Sequence, residues 1–451
     1  MSCVRLPLPL PSANLRGIRH SSPIPTRIDA VTRIPMFAGT GLSAEHQRVL
    51  RWMCLLIAAN QLGFGAIVPV LPLYAKNFGV SEAAVGLTIA IYGLARFLVN
   101  VPAGELAERR GRRWTLAFGG IVTVIGNLLC AIAPSYPAFL VARFIGGAGA
   151  AMVLTGGQVV LSDISEPHNR GRVMALYQGV FLFAVGAGSF PGGLLATHFG
   201  LAAPFVANAC LAGVVAMLAL LRVPETRPRS DGQTRPTTER PSISHYLRLF
   251  QALPGFALIS GLSFAVFFAR TGALFNVVPL LAKDDLHLSP AEIGLGLSMI
   301  SLVGLVLAYP SGVLVDRYGR KAVIVPATFL TAAAMLLFAV VPDRTWFLVA
   351  CFLWATATGV SGSAPAAYAA DIAPPHLVAR TLGAYRTLAD AGYVIGPLLL
   401  GVIADMASPN AALVVVSLLL VIMGYAFARG APESRPGSIS TRKPGAVAAH
   451  H

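Results

Sequence analysis

Ionisable side chains are scarce in this chain, so their spacing carries the chemistry. RTLAD, residues 386–390, sets a guanidinium four residues before a carboxylate. On a helix that spacing puts Arg386 and Asp390 on one face, with the Tyr393 hydroxyl on roughly the same side. Buried, such a pair either makes and breaks as its acid takes up a proton or stays a static bond. Arg96, Arg143 and Arg270 are three more arginines in apolar surroundings. An arginine in hydrocarbon is costly and usually faces a cavity or a partner. Four arginines against one deep acid suit an anionic or zwitterionic ligand better than a lipophilic cation. Neutral groups that can line a cavity are Asn60, Gln61, Asn100, Gln158, Tyr177, Gln178 and Asn276. Phe264, Phe267 and Phe268 are aromatic candidates that also suit plain packing.

Other chemistry is excluded. The cysteines at 3, 54, 130, 210 and 351 have neither metal-like nor redox-like spacing. No metal cluster, nucleophile–base pair or GxxxxGK[ST] phosphate loop is present, so no enzyme activity and no cofactor are expected.

The elements that must hold these residues are membrane spans. The 451 residues are 55% hydrophobic and 12% charged, with mean hydropathy +0.70. A soluble domain has about 25% charged residues. Apolar runs long enough to cross a bilayer fall at 52–75, 84–107, 114–133, 137–161, 172–196 and 203–222. A second set falls at 252–278, 291–314, 322–341, 345–369, 381–404 and 411–428. The expected fold is all-α, with twelve transmembrane helices in two six-helix bundles, 51–223 and 251–429. A polar linker at 224–250 joins them. Residues 1–50 and 430–451 read as disordered tails. The first tail is basic and free of acids up to Arg27; an organelle transit peptide is its alternative reading.

The formal charge of +15 comes from 34 basic and 19 acidic residues. Place GELAERRGRR, residues 104–113, in the cytoplasm and let the spans alternate. Only Lys76, Lys283 and Arg344 then lie on the far side, and 27 basic residues lie on the near side. This positive-inside bias puts both termini in the cytoplasm and explains the charge without nucleic acid.

GVLVDRYGRK, residues 312–321, repeats GELAERRGRR at a distance of 208 residues. Gly104, Glu108, Arg109, Gly111 and Arg112 match Gly312, Asp316, Arg317, Gly319 and Arg320. Pro102 and Pro310 correspond as well. Arg170 to Gly186 and Arg380 to Gly396 are both sixteen apart. Internal repeats of this kind mark transporters built from two bundles about a central site. In each decapeptide the glycines suit close packing and a tight turn. The arginines suit helix-end carbonyls and headgroup phosphates, and Glu108 suits pairing or capping the next helix. Asp163 and Asp371, at the ends of the fourth and tenth spans, read as contacts of the loop arginines.

The paired decapeptides resemble the loop signature of the major facilitator superfamily, over about residues 50–430. LGFGAIVPVLP, residues 62–72, resembles a first-span motif of its twelve-span drug–proton antiporter branch. LVARFIGGAGA, residues 140–150, is similar to the superfamily's fourth-span motif, with Gly146 where glutamine is usual. The antiporter fifth-span motif is only partly kept in GAGSFPGG, residues 186–193. Its more regular form is GYVIGPLLLG, residues 392–401, in the eleventh span. The resemblance implies a proton-coupled exporter of small organic molecules or drugs, working by alternating access in the cell membrane. Loop contacts would act as cytoplasmic gates, and Arg143 would aid proton coupling. The alternative is proton-coupled uptake of a metabolite such as an organic anion or sugar; a non-transporting scaffold or sensor is the remote one. Expected partners are a small-molecule substrate, protons and membrane lipids, with the chain monomeric.

Overall fold

The computed structural model describes residues 40–166, 169–226, 254–362, 364–373 and 378–434. The expected linker falls almost wholly outside these residues, as do most of both tails. Among the described residues there are helices and no strands. Twelve are long and apolar enough to cross a membrane. The first six are Ala44–Ile67, Glu82–Arg110, Arg112–Ala131, Tyr136–Ile164, Arg170–Phe199 and Ala203–Arg222. The second six are Gly255–Asp284, Pro290–Tyr318, Arg320–Ala339, Arg344–Asp371, Thr381–Met406 and Pro409–Gly430. All lie in one compact unit, Leu42–His451.

Local chemistry sets the ends. Ser43, Ser81 and Ser408 each accept a hydrogen bond from the backbone N–H three residues on. Ser289 and Glu292 form a reciprocal capping box, and Asp343 accepts from Thr345 and Trp346. The first helix therefore starts at Ala44, inside the stretch expected as tail. It also stops earlier than expected, at Ile67. Pro69 lacks an N–H, so the chain turns at 68–70 and resumes as Leu71–Lys76. The seventh span holds a π-helical segment, Ala269–Val277. The tenth breaks at Gly362, whose φ of +44° ends its first piece.

The halves repeat each other in packing. In the first, span 3 packs on spans 4 and 6, span 1 on 5 and 6, and span 2 on 4. The second shows the same five pairings: 9 on 10 and 12, 7 on 11 and 12, and 8 on 10. Between halves the main contacts are span 2 with 11 and span 5 with 8.

Those seams are closed at one end only. A Cβ at Gly86 would fall on the Pro397 carbonyl, and one at Gly193 on that of Pro290. The Asp405 carboxylate accepts from the N–H groups of Glu82 and Ala83 at 2.7 and 2.8 Å, bridging span 11 to the start of span 2. Ser298 accepts from Phe190 N–H at 2.8 Å and donates to the Gly186 carbonyl at 2.6 Å. One apolar cluster runs through both halves at this end, including Ile67, Leu71, Val85, Phe139, Leu274, Leu280 and Leu400. At the other end, which carries the two decapeptides, Gly171, Gly179, Gly304, Gly312 and Gly383 face open space. Phe97, Val101, Val306 and Tyr309 are exposed there. The bundles meet at the end opposite the decapeptides and part at the decapeptide end.

Candidate transport site between the bundles

The decapeptides form two matched clasps within the halves. Gly111 and Gly319 have φ of +101° and +96°, values that favour glycine and let span 2 turn directly into 3, and 8 into 9. Arg112 is buried; its Nε donates to Asp163 at 3.0 Å and its Nη1 to the Ala107 carbonyl at 3.1 Å. Arg320 does the same with Asp371 at 3.2 Å and the Val315 carbonyl at 3.3 Å, and adds Asp316 at 2.9 Å. Arg109 lies 3.9 Å from Glu105 on the surface, and Arg317 stacks on Tyr318 at 5.4 Å.

Glu108 does not take the capping role. It is exposed in the last turn of span 2. The cap comes from Glu225, just after span 6, which accepts from Arg112 and Arg113 N–H at 2.9 and 3.3 Å. Glu433, after span 12, accepts from Lys321 N–H at 2.9 Å. Thr226 and Ser434 then donate to Asp163 and Asp371. The signal was present: PETRP at 224–228 returns as PESRP at 432–436, at the same 208-residue offset as the decapeptides. The close approach expected of Gly104 and Gly312 is not made in this conformation. Gly104 reaches only the Thr155 methyl, and Gly312 reaches nothing.

The second site sits on the seam, where the closed end gives way to the parted one. Gly147 lets span 2 approach span 4 so closely that a Cβ there would stand 2.6 Å from the Tyr92 carbonyl oxygen. That approach puts Arg143, one turn away on span 4, over the Tyr92 ring at 4.4 Å. Arg143 is 3% exposed, and its Nε donates to the Thr88 carbonyl at 3.4 Å. Phe64 of span 1 also stacks on Tyr92, at 5.4 Å. Arg96 lies over the Tyr393 ring of span 11 at 5.7 Å. Arg270, at the start of the π segment, lies 5.6 Å from the Phe275 ring. Thr271 donates to the Phe267 and Tyr393 carbonyls at 2.9 and 3.2 Å, tying the π segment to span 11. Arg96, Arg143, Arg270 and Asp390 all lie close enough to act electrostatically on Tyr393. Three guanidinium groups and one carboxylate, from four spans, thus act on one tyrosine, with Arg96 against its ring. On the closed side Ile67, Val68, Leu71 and Ile89 leave only about 10 Å³ beside Arg143 and Tyr393, room for about one water at most.

The remaining sequence candidates divide. Arg386 and Asp390 share a helix face but form no ion pair within 4.0 Å. Arg386 is exposed on the parted half, while Asp390, one turn before Tyr393, is half-buried. Asn60 and Gln61 are buried and bonded to each other at 2.8 Å, so they face the bundle interior instead of an open surface. Asn276 is fully buried and donates to the Pro397 carbonyl at 3.3 Å. Asn100 and Gln158 are exposed on the parted half, Asn100 accepting from Thr155 at 3.1 Å, and Gln178 is half-buried. Sequence reasoning missed Tyr92, Thr88, Phe64 and Asp405. Asp405 carried a physical hint: an acid in the last turn of a helix opposes that helix's own dipole, so it needs a donor elsewhere. A separate recess of about 370 Å³, lined by Leu106, Arg110, Trp114 and Phe118, lies off the seam at the decapeptide end.

The twelve spans in matched halves agree with the comparisons. The Major Facilitator Superfamily family model matches residues 53–275 and 259–449. The chain belongs to the Major Facilitator Superfamily. An MFS-type transporter of Methanocaldococcus jannaschii, itself uncharacterised, is 21% identical over 353 residues, covering 77% of this chain and 89% of that protein. The quinolone resistance protein NorA of Staphylococcus aureus is 30% identical over 133 residues, covering 29% of this chain and only 34% of that protein. A bacterial homologue of the human lysosomal transporter Spinster, solved inward-facing and occupied, superposes with a TM-score of 0.68 at 17% identity, covering 86% of this chain and 97% of that one. This superfamily member is a multi-pass secondary transporter, and members bind small-molecule substrates and often use protons.

Proposed function

We propose that this superfamily member exports small organic molecules from the cell in exchange for protons, by alternating access in the cell membrane. The positive-inside bias supports placing the decapeptide end in the cytoplasm. On that placement the structure is inward-facing: cargo enters from the cytoplasm and the Asp405 and Ser298 contacts hold the outer end shut. The clasps of Arg112 and Arg320 are the rigid ends that meet when the bundles swing.

The observation that carries the reading is the position of the charges. Arg143 and Asp390 stand on the seam where closed packing meets the open mouth. Protonating Asp390 there leaves three guanidinium groups with no carboxylate, which changes the electrostatic cost of holding the two halves together. The antiporter-like first-span motif and the partial similarity to a quinolone resistance protein support export as the direction.

Proteoliposomes with an imposed pH gradient test this, with a fluoroquinolone as first probe and a panel of organic acids and dyes after it. Exchange drives substrate to the acidic side, because protons run the other way. Accumulation on the alkaline side would instead establish symport and uptake.

A further inference from the structure

We infer that the seam site binds an organic anion, a carboxylate carried on an apolar aromatic body. The inference rests on reading the seam as the substrate site, and it concerns the chemistry of the cargo, leaving direction and coupling aside.

Arg96 lies over the Tyr393 ring, Arg143 lines one small cavity with Tyr393 and Phe275, and Arg270 lies near the Phe275 ring; among the described residues none of the three forms an ion pair with a carboxylate. Arg143 makes one long hydrogen bond and a ring contact. The Nε of Arg96 is buried without any partner. Unpaired guanidinium groups cost free energy in a low-dielectric site, so positions like these call for an anion that comes and goes. The planar fork of an arginine matches a carboxylate in a bidentate fashion that a lysine or a neutral donor cannot offer. Asp390 cancels only one of the three charges, and a cationic cargo would add to the excess.

The walls describe the rest of the ligand. Tyr92, Tyr393 and Phe275 lie against the guanidinium groups, and Phe64 stacks on Tyr92, which suits a flat apolar body packed against aromatic rings. The floor of Ile67, Val68, Leu71 and Ile89 is apolar and leaves only about 10 Å³. It excludes water from one side and so strengthens the ionic contact. Ligand reaches the cluster only from the parted end, where Arg96 and Arg270 are half-exposed.

Three probes that share one body separate the charge from the hydrophobic part: 2-naphthoate, 2-naphthamide and 2-naphthylmethylammonium. Binding of each to the purified full-length protein in nanodiscs is measured by equilibrium dialysis at pH 7. The inference expects saturable naphthoate binding at least tenfold tighter than naphthamide, and no saturable binding of the ammonium compound. Arg96→Gln and Arg270→Gln should each weaken naphthoate at least tenfold. Arg270→Lys should fall between, and Arg429→Gln, on the surface at the end of span 12, should change nothing. Equal affinities for the three probes, tighter binding of the cation, no naphthoate binding, or full affinity in both glutamine variants would each overturn it. The probe series uses the unaltered chain, so a variant that fails to fold does not rescue the idea. Binding needs no gradient. A failure here leaves proton-driven export standing, and a failure of export in proteoliposomes leaves the anion site standing.

Discussion

Adding one methyl group at Gly86 should move the whole transporter. Gly86 lies on span 2 at the closed end, and a Cβ there would stand 2.6 Å from the Pro397 carbonyl carbon and 3.2 Å from Asn276 Nδ2. Real Cβ atoms essentially never come within 3.0 Å of such neighbours, and a backbone carbonyl cannot swing aside as a side chain can. Span 11 must therefore retreat, at a cost of about 1–3 kcal/mol for overpacking. The cost applies only while the closed end is shut. Gly86→Ala also gains about 1 kcal/mol of helix propensity, but that gain is the same in both conformations and cancels. The ratio of the two conformations should thus shift about 5- to 150-fold away from the one described. Spin labels report it in a background lacking the exposed Cys210. One pair goes at the closed end, on Ser135 and Met406; the other goes at the decapeptide end, on Arg110 and Tyr318. All four positions are exposed. The substitution should lengthen the first distance and shorten the second. Unchanged distributions at both pairs, in a folded sample, would refute the assignment of this seam as the part that opens.

Three further outcomes follow from the same geometry. Gly312→Ala adds a methyl group to open space, so it should leave the present conformation intact and penalise closure of the decapeptide end, moving both label distances the opposite way. Arg112→Gln should cost about 3–5 kcal/mol, because it strands a buried Asp163 carboxylate that is 6% exposed. Arg320→Gln should cost less, because Asp371 is 25% exposed and water screens it, and thermal unfolding in detergent should rank the two in that order. Asp390→Asn fixes the seam charge, so transport driven by a pH gradient should lose its dependence on that gradient; an unaltered flux removes Asp390 from coupling.

How much of this was legible in the sequence depends on the range of the interaction. Twelve spans could be read because hydropathy and the placement of arginines are local properties of each segment. Span boundaries moved where backbone chemistry intervened, as at Pro69 and Gly362. The clasp was half legible: Arg112, Arg320 and the acids at 163 and 371 were recognised, while Glu225 and Glu433 hid in segments that composition marked as linker and tail. The spacing of Arg386 and Asp390 placed their Cβ atoms together but left open where the long arginine side chain would go. The closed seam was not legible at all. It depends on glycines of one bundle meeting carbonyls of the other, and no periodicity within one span encodes its neighbour across the seam.

The repeat itself separates machinery from cargo. Each clasp residue recurs near an offset of 208: Arg112 with Arg320, Asp163 with Asp371, Glu225 with Glu433. The seam arginines do not. At the same offset Arg96 meets Gly304 and Arg143 meets Cys351, and Arg270 falls against the uncharged stretch 60–63. If Arg96 and Arg143 were needed to build a six-helix bundle, the second copy would need their counterparts too, yet Gly304 and Cys351 stand at those positions. Arginines that the fold does not duplicate, placed where they are expensive, support the proposed reading. On that reading the duplicated clasps would serve the swing of the bundles, and the unduplicated cluster near Tyr393 would serve the ligand.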